Sequence, residues 1–318
     1  MNFSTKVPVQ KSNFPINYSS KIVLLGSCFT ENMGEKFKYF KFQTMINPFG
    51  IIFNPVSVAK IIERSIQKKY FTEKDVFFHN ELWHSFDVHS ECSNPDKKAF
   101  LFAVNKIIDE VHDQLICTTH LFITLGTSWV YSDKISKKVV ANCHKVPQNQ
   151  FDKELLSVNS IHKAIQNILD LIGRVNPNCA VVFTVSPVRH LKDGFVENQL
   201  SKAQLITALH SVLANSKPKS HYFPSYEIMM DELRDYRYYT EDMLHPTQVA
   251  IDYIWEKFSE VTISESALKI MEDVQTVQRG LSHRPFNSDT KAHNDFLNSL
   301  QLKIAQLEAL PFGIVFQD

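Results

Sequence analysis

The sequence predicts an α/β fold: a doubly wound, mainly parallel sheet with helices on both faces, β-hairpin inserts and a helical C-terminal appendage. Three observations predict it. Apolar strands alternate with amphipathic helices along the chain. The most apolar strands, KIVLLG, HLFITLG and CAVVFTV, are continuous runs rather than alternating ones, as strands buried on both faces require. The first of them passes straight through a sharp turn into a helix, and the turns at such strand ends are where open α/β sheets carry their sites.

The elements follow in order. Residues 1–20 are polar with two prolines and read as an extended arm. KIVLLG (21–26) is a buried strand, and SCFTENMGEKFKYF behind it places Phe29, Met33, Phe37 and Phe40 on one helical face, a core stripe. NPFGIIFNP (47–55) is a loop punctuated by two Asn-Pro pairs and Gly50, and a short helix starts after Pro55. Residues 75–90 read as a hairpin turning near His79-Asn80-Glu81, and residues 96–115 as an amphipathic helix. HLFITLGTS (120–128) is a second buried strand, 129–147 a β-hairpin insert, and 151–178 a long helix and loop. CAVVFTVSP (179–187) is a third buried strand, 197–216 a helix, KSHYFPS a short strand and SYEIMMDEL a helical turn. HPTQVAIDYIWEKF is a helix with Pro246 in its first turn, and 263–310 is helical. The expected organisation is therefore an arm at 1–20, one α/β domain at 21–262 and a helical extension at 263–318.

Composition excludes several classes. The 318 residues are 44% hydrophobic and 21% charged, which suits a globular chain, and the formal net charge of zero argues against nucleic acid as a partner. The N-terminus lacks the apolar run of a signal peptide and no stretch approaches the ~18 apolar residues of a membrane span, so a cytoplasmic protein without a membrane partner is expected. Five cysteines at irregular spacing, with no CxxC, read as reduced thiols rather than a disulfide framework. No HExxH or close His/Cys cluster points to a metal, and no P-loop or GxGxxG points to a phosphate-bearing cofactor, so neither metal nor cofactor is expected. The sequence assigns no oligomeric state.

Two segments carry the chemistry. In G-S-C-F-T-E-N-M-G (26–34), Cys28 follows a buried strand at a helix N-terminus. Unpaired backbone N–H groups and the helix dipole there favour a thiolate, predict a lowered thiol pKa, and can hold an oxyanion. In D-M-L-H-P-T (242–247), Asp242 and His245 stand three apart before a helix, so that the carboxylate can hold one imidazole nitrogen and leave the other as general base. Other side chains are candidates for lining a substrate pocket. His84 and His89 flank an aromatic hairpin, and His144 belongs to the 129–147 insert. Arg189 and His190 follow the third strand, where Arg189 suits a substrate carboxylate or phosphate.

These segments resemble the GSCFA family, grouped with the SGNH (GDSL-type) hydrolase superfamily. GSCFTENMG is similar to the first GDSL block and DMLHP to the last D-x-x-H-P block; WHSFDVHS, LGTSWVY, NCHKVP and TVSPVRH fit the family in the same order. The resemblance covers roughly residues 20–260 and implies a nucleophile in the first block, with Cys28 in the register of the superfamily's serine and Ser27 as the second choice. It implies an oxyanion hole from the backbone N–H of Cys28 and of Gly50, with either Ser128, which replaces the superfamily's Asn, or Asn142. The expected function is an ester or thioester hydrolase, or an acyltransferase, acting on a small or carbohydrate-linked acyl group. The alternative is a catalytically retired domain of the same fold that binds a carbohydrate or a protein partner.

Overall fold

A computed structural model describes residues 5–215, 219–286 and 289–316 of the chain. From β1 (Lys21–Gly26) the chain enters α1 (Cys28–Tyr39), then β2 (Gln43–Ile46) and α2 (Pro55–Ile66). A short hairpin, β3 (Phe77–His79) and β4 (Leu82–His84), turns at Asn80 and Glu81, both with positive φ as a two-residue hairpin turn demands. α3 (Lys97–Cys117) and β5 (His120–Leu125) lead to an insert of β6 (Trp129–Asp133), β7 (Val139–Val140) and β8 (Phe151–Leu155). Next come α4 (Val158–Val175), β9 (Ala180–Val185), α5 (Phe195–Leu213) and β10 (Ser220–Tyr222). The chain ends through α6 (Ser225–Glu227), α7 (Gln248–Thr262), α8 (Glu265–Ser282) and α9 (Lys291–Glu308).

The central sheet is parallel throughout, in the order β10-β9-β5-β1-β2. Its strand order reverses between β1 and β5, so the topological switch point opens at the carboxyl end of β1, directly before Cys28. The continuous apolar strands bury both faces. Val23, Leu25, Leu121, Ile123, Val181 and Phe183 join the core under α2–α5, while Ile22, Leu24, Phe122 and Val182 face α1 and α7–α9. Gly26 sits at φ +144°, where a Cβ would stand 2.3 Å from the carbonyl oxygen of Thr124, so only glycine lets β1 run this close to β5 into the turn.

Several expectations change. Residues 151–155 are a strand rather than the start of the long helix: FDKEL pairs antiparallel with Trp129–Asp133. α4 starts only at Val158, where the Ser157 side chain accepts the N–H of Ser160 as a cap. The insert is thus a three-stranded sheet, β7-β6-β8, rather than a hairpin. Pro246 precedes the N-cap Thr247 and lies outside α7. Residues 43–46, read as no element, form the edge strand β2. The helices after 262 pack against the domain as the expected appendage, with Met271, Val274, Val277, Leu300 and Leu307 buried in the second core. Among the described residues no helix is long and apolar enough to cross a membrane.

Candidate active site

Backbone accounting explains the first turn. Ser27 N–H donates to Thr124 O, and Gly26 N–H to the Asn47 side chain, which locks the end of β1. Ser27 is buried and caps α1, its Oγ accepting the N–H of Phe29 at 3.3 Å. Cys28 is thereby the first residue of α1, a free, half-buried thiol beside the backbone N–H groups of Phe29 and of Cys28 itself. The expected lowering of its pKa is not what the surroundings produce. Burial and the Glu31 carboxylate push the thiol up, against the two N–H groups and the Lys202 cation, which pull it down, and the upward influences win.

The second segment is a turn built around one carboxylate. Asp242 Oδ2 meets His245 Nδ1 at 2.6 Å, while Oδ1 accepts from Leu244 N at 2.8 Å, His245 N at 3.0 Å and Thr240 Oγ1 at 2.7 Å. The backbone N–H and then the ring of His245 hold the Asp242 carboxyl far below the usual range, so it is an anion at neutral pH. A carboxylate can only accept, which puts the imidazole proton on Nδ1 and leaves Nε2 as the basic nitrogen. Met243, at φ 58°, supplies the left-handed residue that folds the turn back. Arg189 joins this turn to the loop after β9: its N–H donates to Leu244 O and its guanidinium to Met243 O, both at 3.1 Å.

Cys28 and His245 line the same cleft, of about 510 Å³, at the carboxyl ends of the parallel strands. A family model, described as the GSCFA family, matches residues 21–258, and a second, for the C-terminal domain of GSCFA domain proteins, matches residues 274–313. The chain belongs to the GSCFA family. A comparison with curated proteins returned no match.

Of the other candidates, four line the cleft of this GSCFA chain: His89, Asn142, Arg189 and His190. Asn142 spends its Oδ1 on the N–H of His144, which leaves the amide group to donate. His89 approaches Glu91 at 3.5 Å. Arg189 lies between the rings of Phe195 and Tyr239, at 5.5 and 5.1 Å. His190 packs against Phe53, and burial, with Lys202 and His245 nearby, pushes its imidazole down to about 3, so it is neutral.

Four candidates lie off the cleft. Gly50 gives its N–H to Asn47 O at 2.7 Å, so that donor is already spent. Ser128 is fully buried and ties β5 to α5: its N–H and Oγ both bond Ser201. His84 is buried between Ser93 Oγ and His79 O. His144 bonds Ser85 O at 2.7 Å and packs at a tilt against His84, and burial pushes it down to about 4. Cys143 lines the cleft, while His144, in a turn at φ 49° beyond β7, is buried away from it.

The sequence reading missed Lys202, which is buried on α5 and donates to Gly126 O and Ser186 O, both at 2.7 Å. A signal was present: Asn198, Ser201, Leu205, Leu209 and Val212 form the buried stripe of α5, and Lys202 falls on it. Among the described residues no group of three or more His, Cys, Asp or Glu side chains is placed to hold a metal ion.

Proposed function

We propose that this chain is an ester or thioester hydrolase, or an acyltransferase, that forms a thioester on Cys28 in the manner of SGNH (GDSL-type) hydrolases. The observation that supports this reading is the sharing of one cleft by the helix-terminal thiol and the Asp242-oriented imidazole, at the switch point of the sheet. His245 Nε2 takes the Cys28 Sγ proton, and the thiolate so formed attacks the acyl carbonyl. The carbonyl oxygen becomes an oxyanion facing the N–H of Cys28 and the amide of Asn142. The tetrahedral intermediate collapses with loss of the alkoxide or thiolate, which takes a proton from His245 Nε2. Water or an acceptor alcohol then gives its proton back to His245 and attacks the thioester, releasing the acyl group and the thiol. Phe53, Trp129 and Tyr131 line the cleft and offer ring faces to a carbohydrate-linked acyl group. A cytoplasmic, reducing setting suits such a thiol.

Turnover of p-nitrophenyl acetate tests this. Cys28→Ala and His245→Ala are expected to lose roughly 100-fold or more. Ser27→Ala should keep most of its turnover, because Ser27 is occupied as a helix cap. Wild-type rates in both Cys28→Ala and His245→Ala would remove the enzymatic reading.

One observation favours a second reading, a retired site that binds a carbohydrate or a protein partner: burial and Glu31 push the Cys28 thiol up. Iodoacetamide separates the two. Alkylation of Cys28 ahead of the exposed Cys117 supports the nucleophile; slower alkylation together with absent turnover selects the binding protein.

A further inference from the structure

The proposed mechanism leaves one cation of the cleft without a task. Arg189 is half-buried in the loop after β9 and lines both the cleft and a second cavity of about 210 Å³, whose other walls include Met229, Leu233, Tyr236 and Tyr239. The rings of Phe195 and Tyr239 beside its guanidinium support the cation but carry no charge to balance it. Lys192 adds a second positive charge to the cleft wall.

Bracing the turn does not account for this side chain. The Arg189 backbone N–H on Leu244 O already ties the loop to the turn that carries His245. The guanidinium adds one bond, from Nη1 to Met243 O, and leaves the rest of its five-donor fork free. Among the described residues no carboxylate pairs with it. The carboxylates that line the two cavities, Asp193 and Asp235, are paired instead with Lys153 and Arg237, and Asp242 is spent within its own turn. The proton transfers set which part of the substrate this cation faces. The leaving group takes its proton from His245, so it lies towards the Asp242–His245 turn, and the guanidinium is bonded to that same turn.

We propose that Arg189 is a specificity-determining residue that binds a carboxylate or phosphate on the leaving-group side of the substrate, so that the chain acts on acyl esters or thioesters of alcohols or thiols bearing an anionic group. Either anion accepts two parallel N–H groups of one guanidinium fork, and the flanking rings shelter that charge-assisted pair from water. The inference rests on the hydrolase reading for the side of the substrate it assigns, and its test also reads binding without turnover.

Two esters that differ by one charge on the leaving group, 4-acetoxybenzoate and its methyl ester, test this on the full-length chain. The ratio of their kcat/KM values, acid over methyl ester, should fall about tenfold in Arg189→Met, mainly through a raised KM for the acid. Any loosening of the His245 turn affects both esters and cancels in the ratio. Arg189→Lys, which keeps the charge without the fork, should fall between the two proteins. An unchanged ratio in an Arg189→Met protein with a cooperative thermal melt would make the side chain a brace of the turn and overturn the proposal. If Arg189→Met does not fold, binding to the wild type decides. By titration calorimetry 4-hydroxybenzoate should bind about tenfold more tightly than methyl 4-hydroxybenzoate, and equal affinities would overturn the proposal. 4-Hydroxyphenyl phosphate in the same titration separates the two anions: tighter binding than the benzoate assigns a phosphate, weaker binding a carboxylate. Arg189-dependent binding of the benzoate, in a protein whose ester turnover ignores both Cys28→Ala and His245→Ala, would keep the anion site and discard the enzymatic reading alone.

Discussion

Asp242 accepts four hydrogen bonds through two oxygens, all from its own turn, and two of them from the backbone and ring of His245. Replacing it by Asn keeps the size but gives one position a donor, which faces the Nδ1 proton of His245 and favours the other tautomer. Asp242→Asn should therefore lower kcat on p-nitrophenyl acetate by roughly 10²-fold or more and leave KM nearly unchanged; an unaltered kcat would show that the orientation is not used. The GSC and DxxH segments were legible in the sequence because each is local: a strand end, a turn and a helix start within a few residues. Lys202, Ser128 and His144 were not legible, since what decides each lies far along the chain. Lys202 is defined by two strand-end carbonyls, Ser128 by Ser201 and His144 by Ser85. A lone lysine in an amphipathic helix announces a solvated face unless its place on the buried stripe is counted.

At the scale of elements, local signals decide some boundaries and tertiary pairing decides others. β1, β5 and β9 are readable because a short, mostly apolar run without alternation, bounded by a turn, fits a doubly covered strand. β8 is not: Phe-Asp-Lys-Glu-Leu has no strand propensity to speak of, and it is a strand only because β6 offers it an edge. Ser157 marks the true start of α4 as a cap, a signal outweighed by the apolar periodicity on either side. The same cap chemistry sets the geometry around Cys28. Ser27→Ala removes the acceptor of the Phe29 N–H and should cost about 1 kcal/mol of stability, measured by urea denaturation. Its turnover should stay within a few-fold of wild type, because the Cys28 backbone is also held by Thr30 N–H on Ser27 O and by the Gly26–Asn47 bond. A collapse of turnover with unchanged stability would instead make Ser27 the nucleophile.

Across the whole molecule, both faces of the sheet are sealed, and the sealing strands several imidazoles in apolar surroundings. Burial pushes His144 down to about 4, His190 to about 3 and His221 to about 4, each from an ordinary value near 6.5. Below that ordinary value the unfolded chain takes up protons that the fold refuses, so protonation favours unfolding. The stability is whole above about pH 6.5 and is lost progressively as pH falls towards the folded values, with no further loss from these groups below them. For His144, which is 4% exposed, the loss at pH 5 is about 2 kcal/mol, from 1.36 kcal/mol for each unit below 6.5. The backbone of Ser85 and of Val88 pulls its pKa up, and burial outweighs both. Melting temperatures measured from pH 8 to pH 5 should be flat down to about 6.5 and then fall. His144→Gln, which keeps a polar group for Ser85 O but cannot take up a proton, should flatten part of that fall while melting lower than wild type at pH 8. A melting temperature that holds constant from pH 8 to pH 5 would mean that these rings become charged inside the fold without penalty, and that the two cores are far less sealed than the packing around His144 implies.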